Sequence, residues 1–262
     1  FSGMTSTGFS IFENIKYLDP TLILWRSSSQ WIGGLYFLIF LIIVFSNNQY
    51  NFRLNHLVYT GNMGSFSKAN IKNVLLQIFL VYSLLTLLIF IILNIGSVRL
   101  FNSLNLSMTI ISNGGFLPTN NLGQIFLKDN NYLLAIILLI PTLNIFLIFN
   151  FFNRKKIIYN HQEDLFLIIF ILALTLIMFY TFKNVGIIEI LINIISSISN
   201  SGITFTKSIN NTIVFIFLCA VGGSLISNSS GIKFIRIYIL IKTACAEIIR
   251  LIRPNNVFNN VI

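Results

Sequence analysis

Runs of about 20 apolar residues, the length that crosses the hydrocarbon core of a bilayer at about 1.5 Å rise per helical residue, recur along this chain and decide its solvent. Val74 to Ile95, Tyr132 to Phe152 and Leu165 to Phe182 each qualify, and Thr21 to Phe45 qualifies as a longer, tilted span with Arg26 at its outer end. Another run starts near Thr212 and is interrupted. A chain that is 55% hydrophobic and only 9% charged cannot clothe a soluble domain of this size in polar surface. The expected class is an all-α membrane protein.

The formal net charge of +10 does not indicate nucleic acid, because the basic residues sit in short loops between apolar runs and are not interleaved with exposed aromatics on one face. With spans alternating in direction, residues 46–73, residues 153–164 and the tail from Lys233 hold most of the 17 Lys and Arg. The positive-inside rule makes those sides cytoplasmic, and the expected location is the cell inner (plasma) membrane, crossed several times. Cys219 and Cys245 encode neither a disulfide framework nor a metal site; both read as packing residues. His161-Gln162-Glu163-Asp164 has no second His or Cys nearby and reads as a solvated loop, and His56 stands alone in another loop. No Ser/His/Asp set, P-loop or GxGxxG is present, so no enzymatic activity and no cofactor are expected.

Between the spans lies a repeat. Thr5-Ser6-Thr7-Gly8-Phe9, Ser112-Asn113-Gly114-Gly115-Phe116 and Ser199-Asn200-Ser201-Gly202-Ile203 share small hydroxyl or amide residues, then Gly, then an apolar residue. Short apolar stretches, Phe101 to Ile111 and Ile187 to Ile198, precede the second and third copies. They are about half the length needed to cross. Each unit therefore reads as spanning helix, half-helix, a Gly-centred extended segment returning to the same side, and a second spanning helix. Non-helical backbone at membrane depth requires burial in protein or a watery cavity, so three returns imply a shared cavity. Glycine pairs follow the first and third copies, in Trp31-Ile32-Gly33-Gly34 and Ala220-Val221-Gly222-Gly223. The chain starts inside the first unit and stops after the third, with a basic amphipathic tail.

The loops suit a monovalent cation. Backbone carbonyls replace its hydration shell without a full negative charge that would hold it too tightly. Glycine permits the backbone angles that turn successive carbonyls to one axis, and each half-helix aims its partially negative C-terminus at the cavity. No carboxylate lies in the loops, which leaves carbonyls as the selectivity device.

Thr5-Ser6-Thr7-Gly8 followed by Leu22-Ile23-Leu24-Trp25-Arg26 and Gln30-Trp31-Ile32-Gly33-Gly34 resembles the first pore repeat of the Trk/Ktr/HKT superfamily of potassium transporters. The stretch from Gly222-Gly223-Ser224-Leu225-Ile226-Ser227-Asn228-Ser229-Ser230-Gly231 to Ile232-Lys233-Phe234-Ile235-Arg236 resembles the glycine-rich break in that superfamily's third repeat. The resemblance runs over the whole chain. It implies helix–pore loop–helix units with re-entrant half-helices around a cation pathway, with four units in the family and the end of the first through the third here. Residues 1–45 would be the end of repeat one, 74–152 repeat two and 165–241 repeat three, separated by cytoplasmic loops 46–73 and 153–164 and followed by a cytoplasmic basic tail, 242–262.

The resemblance makes Thr5, Ser6, Thr7, Gly8, Ser112, Asn113, Gly114, Gly115, Ser199, Asn200, Ser201 and Gly202 the ion selectivity filter, with K+ bound only at filter carbonyls. Gly222, Gly223, Ser224, Ser227, Asn228, Ser229, Ser230 and Gly231 become a gate loop at the cytoplasmic mouth of the cavity. The family also implies a homodimer, a cytoplasmic nucleotide-binding regulatory ring, and K+ as transported ion, with sodium or mixed cation transport as a lesser alternative. A different class of reading is a non-conducting truncated remnant or scaffold, motivated by the absence of a fourth repeat. Lys233 and Arg236, one helical turn apart, read as anchors that snorkel to the interface, with a pore-facing role as the alternative, while Pro141 and Asn144 suggest a kinked, cavity-lining helix.

Overall fold

In the computed structural model, the structure describes residues 1–12, 14–46, 68–120, 125, 131–145, 147, 162–182, 185–203 and 212–252. Expectations for His56, His161, most of the loops 46–73 and 153–164, and the tail beyond Ile252 lie outside the described residues. The described chain is helical, with no strand among the described residues.

Helix α1, Pro20–Ser46, starts after Asp19, whose carbonyl accepts the Leu22 and Ile23 amides; proline at the first position is pre-set for a helix start and loses no needed donor. Helix α2, Lys68–Ile95, begins within the stretch read as a loop and ends at a left-handed Ser97 (φ 61°). There the Ser97 and Val98 amides return to the Asn94 and Leu93 carbonyls, a Schellman closure. The chain then turns directly into the half-helix α3, Leu100–Ile111.

Helix α4, Asn131–Leu139, gives way to a 3-10 turn, Ile140–Thr142, at Pro141. Helix α5, Gln162–Thr181, is followed by the half-helix α6, Ile187–Ser199, by α7, Thr212–Val221, and by α8, Phe234–Ile252. Residues 222–233 interrupt the run between α7 and α8.

The half-helices stand at the centre. Helix α3 packs between α1 and α2, and α6 packs against α4, α5 and α7. Their residues supply much of the core, including Leu106, Ile110, Ile190, Ile194 and Ile195. Two helices, Leu75–Ile95 and Glu163–Thr181, are long and apolar enough to cross a membrane, yet only 33% and 28% of these stretches are buried. Leu76, Leu80, Leu84 and Leu87 on α2, and Ile169, Leu172 and Leu176 on α5, point outward. Such a surface would be costly in water and is ordinary against lipid.

Pro141 does not merely kink its helix. The helix stops, and the freed groups find partners in the other irregular segment: the Ser224 amide donates to the Thr142 carbonyl at 3.0 Å and the Ile145 amide to the Ile226 carbonyl at 3.0 Å. Two breaks at similar depth thus satisfy each other, as backbone without water must. Asn144 is buried, and its amide donates to Asp164 Oδ1 at 2.9 Å.

A candidate cation pathway

The three Gly-centred loops share one backbone conformation. Gly8, Gly115 and Gly202 have φ of 70°, 75° and 66°, and the residues two positions earlier, Ser6, Asn113 and Asn200, have φ of 51°, 53° and 58°. The hydrogen bonds match as well. The Ser6, Asn113 and Asn200 amides reach back to the Gly3, Ile110 and Ser197 carbonyls, and the Thr7, Gly114 and Ser201 amides to the Ser2, Thr109 and Ser196 carbonyls. In each, a Schellman closure ends a helical turn and releases the chain into the extended segment. Asparagine at positions 113 and 200 suits the left-handed site it occupies.

The loops lie side by side. A Cβ on Gly8 would come within 2.5 Å of the Gly114 carbonyl oxygen, and one on Gly115 would meet the Ser201 carbonyl oxygen. Among the described residues, a Cβ on Gly202 would meet nothing within 4 Å. The order is therefore first, second, third, with no described residue against the far side of the third.

Hydroxyls in the loops are tethers. Thr5 Oγ1 donates to the Phe1 carbonyl at 3.3 Å and Ser112 Oγ to the Met108 carbonyl at 3.0 Å, while Ser199 Oγ donates to Ser201 Oγ at 3.0 Å. The second loop has a further clamp. Gln30, fully buried in α1, donates from Nε2 to the Gly114 carbonyl at 2.5 Å and accepts the Phe116 amide on Oε1 at 3.3 Å. Arg26 flanks the same loop, its guanidinium carbon 4.3 Å from the Phe116 ring centre and Nη2 donating to Ser10 Oγ at 3.0 Å.

The glycine pairs serve different ends. Gly33 and Gly34 lie inside the uninterrupted α1, where a Cβ on Gly33 would strike the Met4 carbonyl and one on Gly34 would come within 2.8 Å of Ser112 Cβ. They let two loops rest on the helix. Gly222 (φ 71°) ends α7 and, with Gly231 (φ 92°), forms the neck where the break leaves and rejoins the helical line.

A cavity of about 450 Å³ lies under the loops, lined by Thr5 and Ser6, by Ser112 and Asn113, by Ser199 and Asn200, and by Asn228 and Ser230 of the break. All three loops and the break therefore meet there, and no carboxylate is among the lining residues described. The C-termini of α3 and α6 end at its wall, so their partial negative charge favours a cation inside.

The break folds on itself. Gly223 donates its amide to Ser229 Oγ at 2.9 Å, Ser227 Oγ donates to the Ser224 carbonyl at 2.6 Å, and Asn228 Nδ2 donates to the Ile111 carbonyl at the end of α3 at 2.6 Å. The reading of Lys233 as a snorkelling anchor is overturned. Lys233 is 6% exposed, and its ammonium points back at Ser227 and Ser229; Arg236 is exposed. Glu163 and Asp164 are likewise no solvated loop: they form the first turn of α5, with Asp164 buried and Glu163 Oε1 accepting the Leu225 amide at 2.8 Å. Among the described residues no cluster of ligands could hold a metal ion.

A crystal structure of the potassium transporter TrkH from Vibrio parahaemolyticus matches with a TM-score of 0.79 at 20% identity, covering 98% of this chain and 56% of that one. This chain has the TrkH fold. Sequence relatives point the same way. TrkH of Escherichia coli is 26% identical over 280 residues, 99% of this chain and 57% of that protein. An uncharacterised cation transporter of Methanocaldococcus jannaschii is 25% identical over 268 residues, 97% of this chain and 54% of that protein. The chain thus spans about half the length of the curated relatives it matches. No protein-family profile matches it. The likeness to TrkH extends from the first Gly-centred loop through the break, and the chain is an all-α, TrkH-like membrane protein.

Gln30, Thr142, Glu163 and Lys233 hold the loops and the break, and none stood among the residues read as filter or gate. A buried amide inside a spanning helix was the available signal for Gln30. The partners of Thr142 and Glu163 are remote in sequence, and no local pattern reports them.

Proposed function

We propose that this chain builds part of a transmembrane potassium pathway, with the carbonyls around Gly8, Gly115 and Gly202 replacing the ion's water and the break at 222–231 gating the cavity below. The observation that carries this is the threefold recurrence of one left-handed backbone pattern in adjacent loops over one shared cavity with no carboxylate among its described lining residues. Rows of neutral oxygens with negative helix ends behind them suit a dehydrated monovalent cation and repel an anion. Asn228, bonded to the end of α3, and the Asn113 side chain, oriented to accept the Ser229 amide at 3.1 Å, link the break to the second loop. Among the described residues nothing lies within 4 Å of a Cβ on Gly202, which leaves room for a further strand to complete a conducting form. On resemblance alone, the proposal extends to a homodimer in the inner membrane regulated by a cytoplasmic nucleotide-binding ring.

The test is growth of bacteria lacking potassium uptake, at limiting potassium, with this chain expressed alone and joined to the remaining half of a TrkH relative. Rescue by the joined form, abolished by Gly115→Arg while membrane insertion persists, is the expected result. Failure of both forms, with the protein inserted, would favour a non-conducting scaffold. Rescue of sodium-dependent and not potassium-dependent growth would assign the lesser, sodium-transporting alternative.

A further inference from the structure

Lys233 is an odd residue at its position. It precedes α8 with φ of 79°, a left-handed conformation that glycine adopts without strain and a long side chain does not. Its side chain is buried at a depth where an unpaired charge is expensive. A residue kept under both penalties is held there by its surroundings, and such strain points to use. The surroundings are specific. The ammonium donates to the Ser227 carbonyl at 3.0 Å and to the Ser229 carbonyl, with Ser227 Oγ at 3.3 Å and Ser229 Oγ at 3.2 Å. Four neutral oxygens thus surround a group with three donors, much as neutral oxygens surround a bare monovalent cation. The ammonium also stands 5.9 Å from the ring centre of Phe37, which lines the cavity, and is attracted by the Glu163 carboxylate. Glu163 in turn holds the Leu225 amide in the first half of the break.

We propose that the Lys233 ammonium is a tethered cation that keeps the break folded beneath the cavity by occupying an oxygen cage built by Ser227 and Ser229, so that its withdrawal unfolds the break. Lys233 is a positioning residue in this role, acting through the loop and not on the permeating ion. The inference rests on reading residues 222–231 as the gate only for its consequence, since the cage itself exists whether or not the chain conducts.

Ser224 supplies a reporter: it is fully buried in the break, and its hydroxyl has no hydrogen-bond partner among the described residues, so Ser224→Cys removes none of the described bonds. The full chain would carry Ser224→Cys with Cys219→Ala and Cys245→Ser, in membranes, and the labelling rate of the thiol by a water-soluble maleimide would read the open fraction of the break. Lys233→Ala is expected to raise that rate about tenfold or more, as local opening becomes easier. Adding n-propylammonium, which replaces the missing chain and charge, should lower it again, whereas n-propanol should not. Lys233→Met, of similar length and no charge, should label as fast as Lys233→Ala. A rate unchanged within about twofold in Lys233→Ala, a slow rate in Lys233→Met, or rescue by neither or both additives would overturn the proposal. Because labelling needs no transport, this outcome is separate from the growth test of the pathway.

Discussion

At Gly115 a methyl group would both force a left-handed backbone on a residue that resists it and drive into the Ser201 carbonyl of the neighbouring loop. At Gly202 the same methyl meets none of the described residues, and only the backbone penalty remains, on the order of 1 kcal/mol. Gly115→Ala and Gly8→Ala are therefore expected to abolish potassium-dependent growth, with Gly202→Ala retaining a measurable fraction in the same assay. Gln30 is a second test at this scale. Gln30→Leu leaves the Gly114 carbonyl and Phe116 amide buried without partners, a loss of about 1–3 kcal/mol for each such group. A lower midpoint of thermal unfolding in detergent, with Gln30→Glu intermediate because a carboxylate still accepts the Phe116 amide, is the expected pattern. Equal midpoints for Gln30→Leu and the parent would show the clamp to be idle. The glycines were readable from sequence because the backbone angle each must adopt is a local property. The clamp was not, because Gln30 and Gly114 meet only when α1 packs on α3.

Among the elements, the two interrupted ones depend on each other. The turn at Pro141 and the break after Val221 exchange backbone hydrogen bonds through Thr142, Ser224, Ile145 and Ile226, and Glu163 at the head of α5 holds the Leu225 amide between them. Glu163→Leu should therefore lower the unfolding midpoint, at a cost of about 1–3 kcal/mol for the buried amide left unpaired, while Glu163→Gln, which keeps an acceptor oxygen, should cost less. Hydrogen exchange at Leu225 measures this directly: faster exchange is expected in Glu163→Leu and near-parental exchange in Glu163→Gln. Composition announced the break after Val221, since a run of Gly, Ser and Asn cannot sustain a helix, whereas Pro141 read as a kink in a continuing span and instead ends its helix. What each stopped end would bond to was decided in space. The same holds for Lys233, whose sequence context, a basic residue at a helix end, describes a snorkelling anchor as well as it describes a side chain folded back into a loop.

For the whole molecule, the lipid-facing surface of α2 and α5 carries the assignment to the membrane. Leu84→Lys or Leu176→Lys places a charge on an outward apolar face, at about 2.5–3.5 kcal/mol near the bilayer centre, and should reduce the carbonate-resistant membrane fraction. A lysine in place of the exposed Leu251 on α8, in the segment read as the cytoplasmic tail, should leave that fraction unchanged. By itself the sequence determined the solvent, the half-length of α3 and α6, the three glycine returns and the interruption after α7, because hydrophobic length and backbone propensity act within a few residues of one another. Only the tertiary structure decided that the loops stand in the order first, second, third around one cavity, that Gly33 and Gly34 seat two of them while Gly222 and Gly231 pinch a loop shut, and that a buried lysine fills an oxygen cage below. Those outcomes follow from contacts between groups far apart in the chain, formed because polar backbone and charge removed from water must find partners wherever the packing brings them.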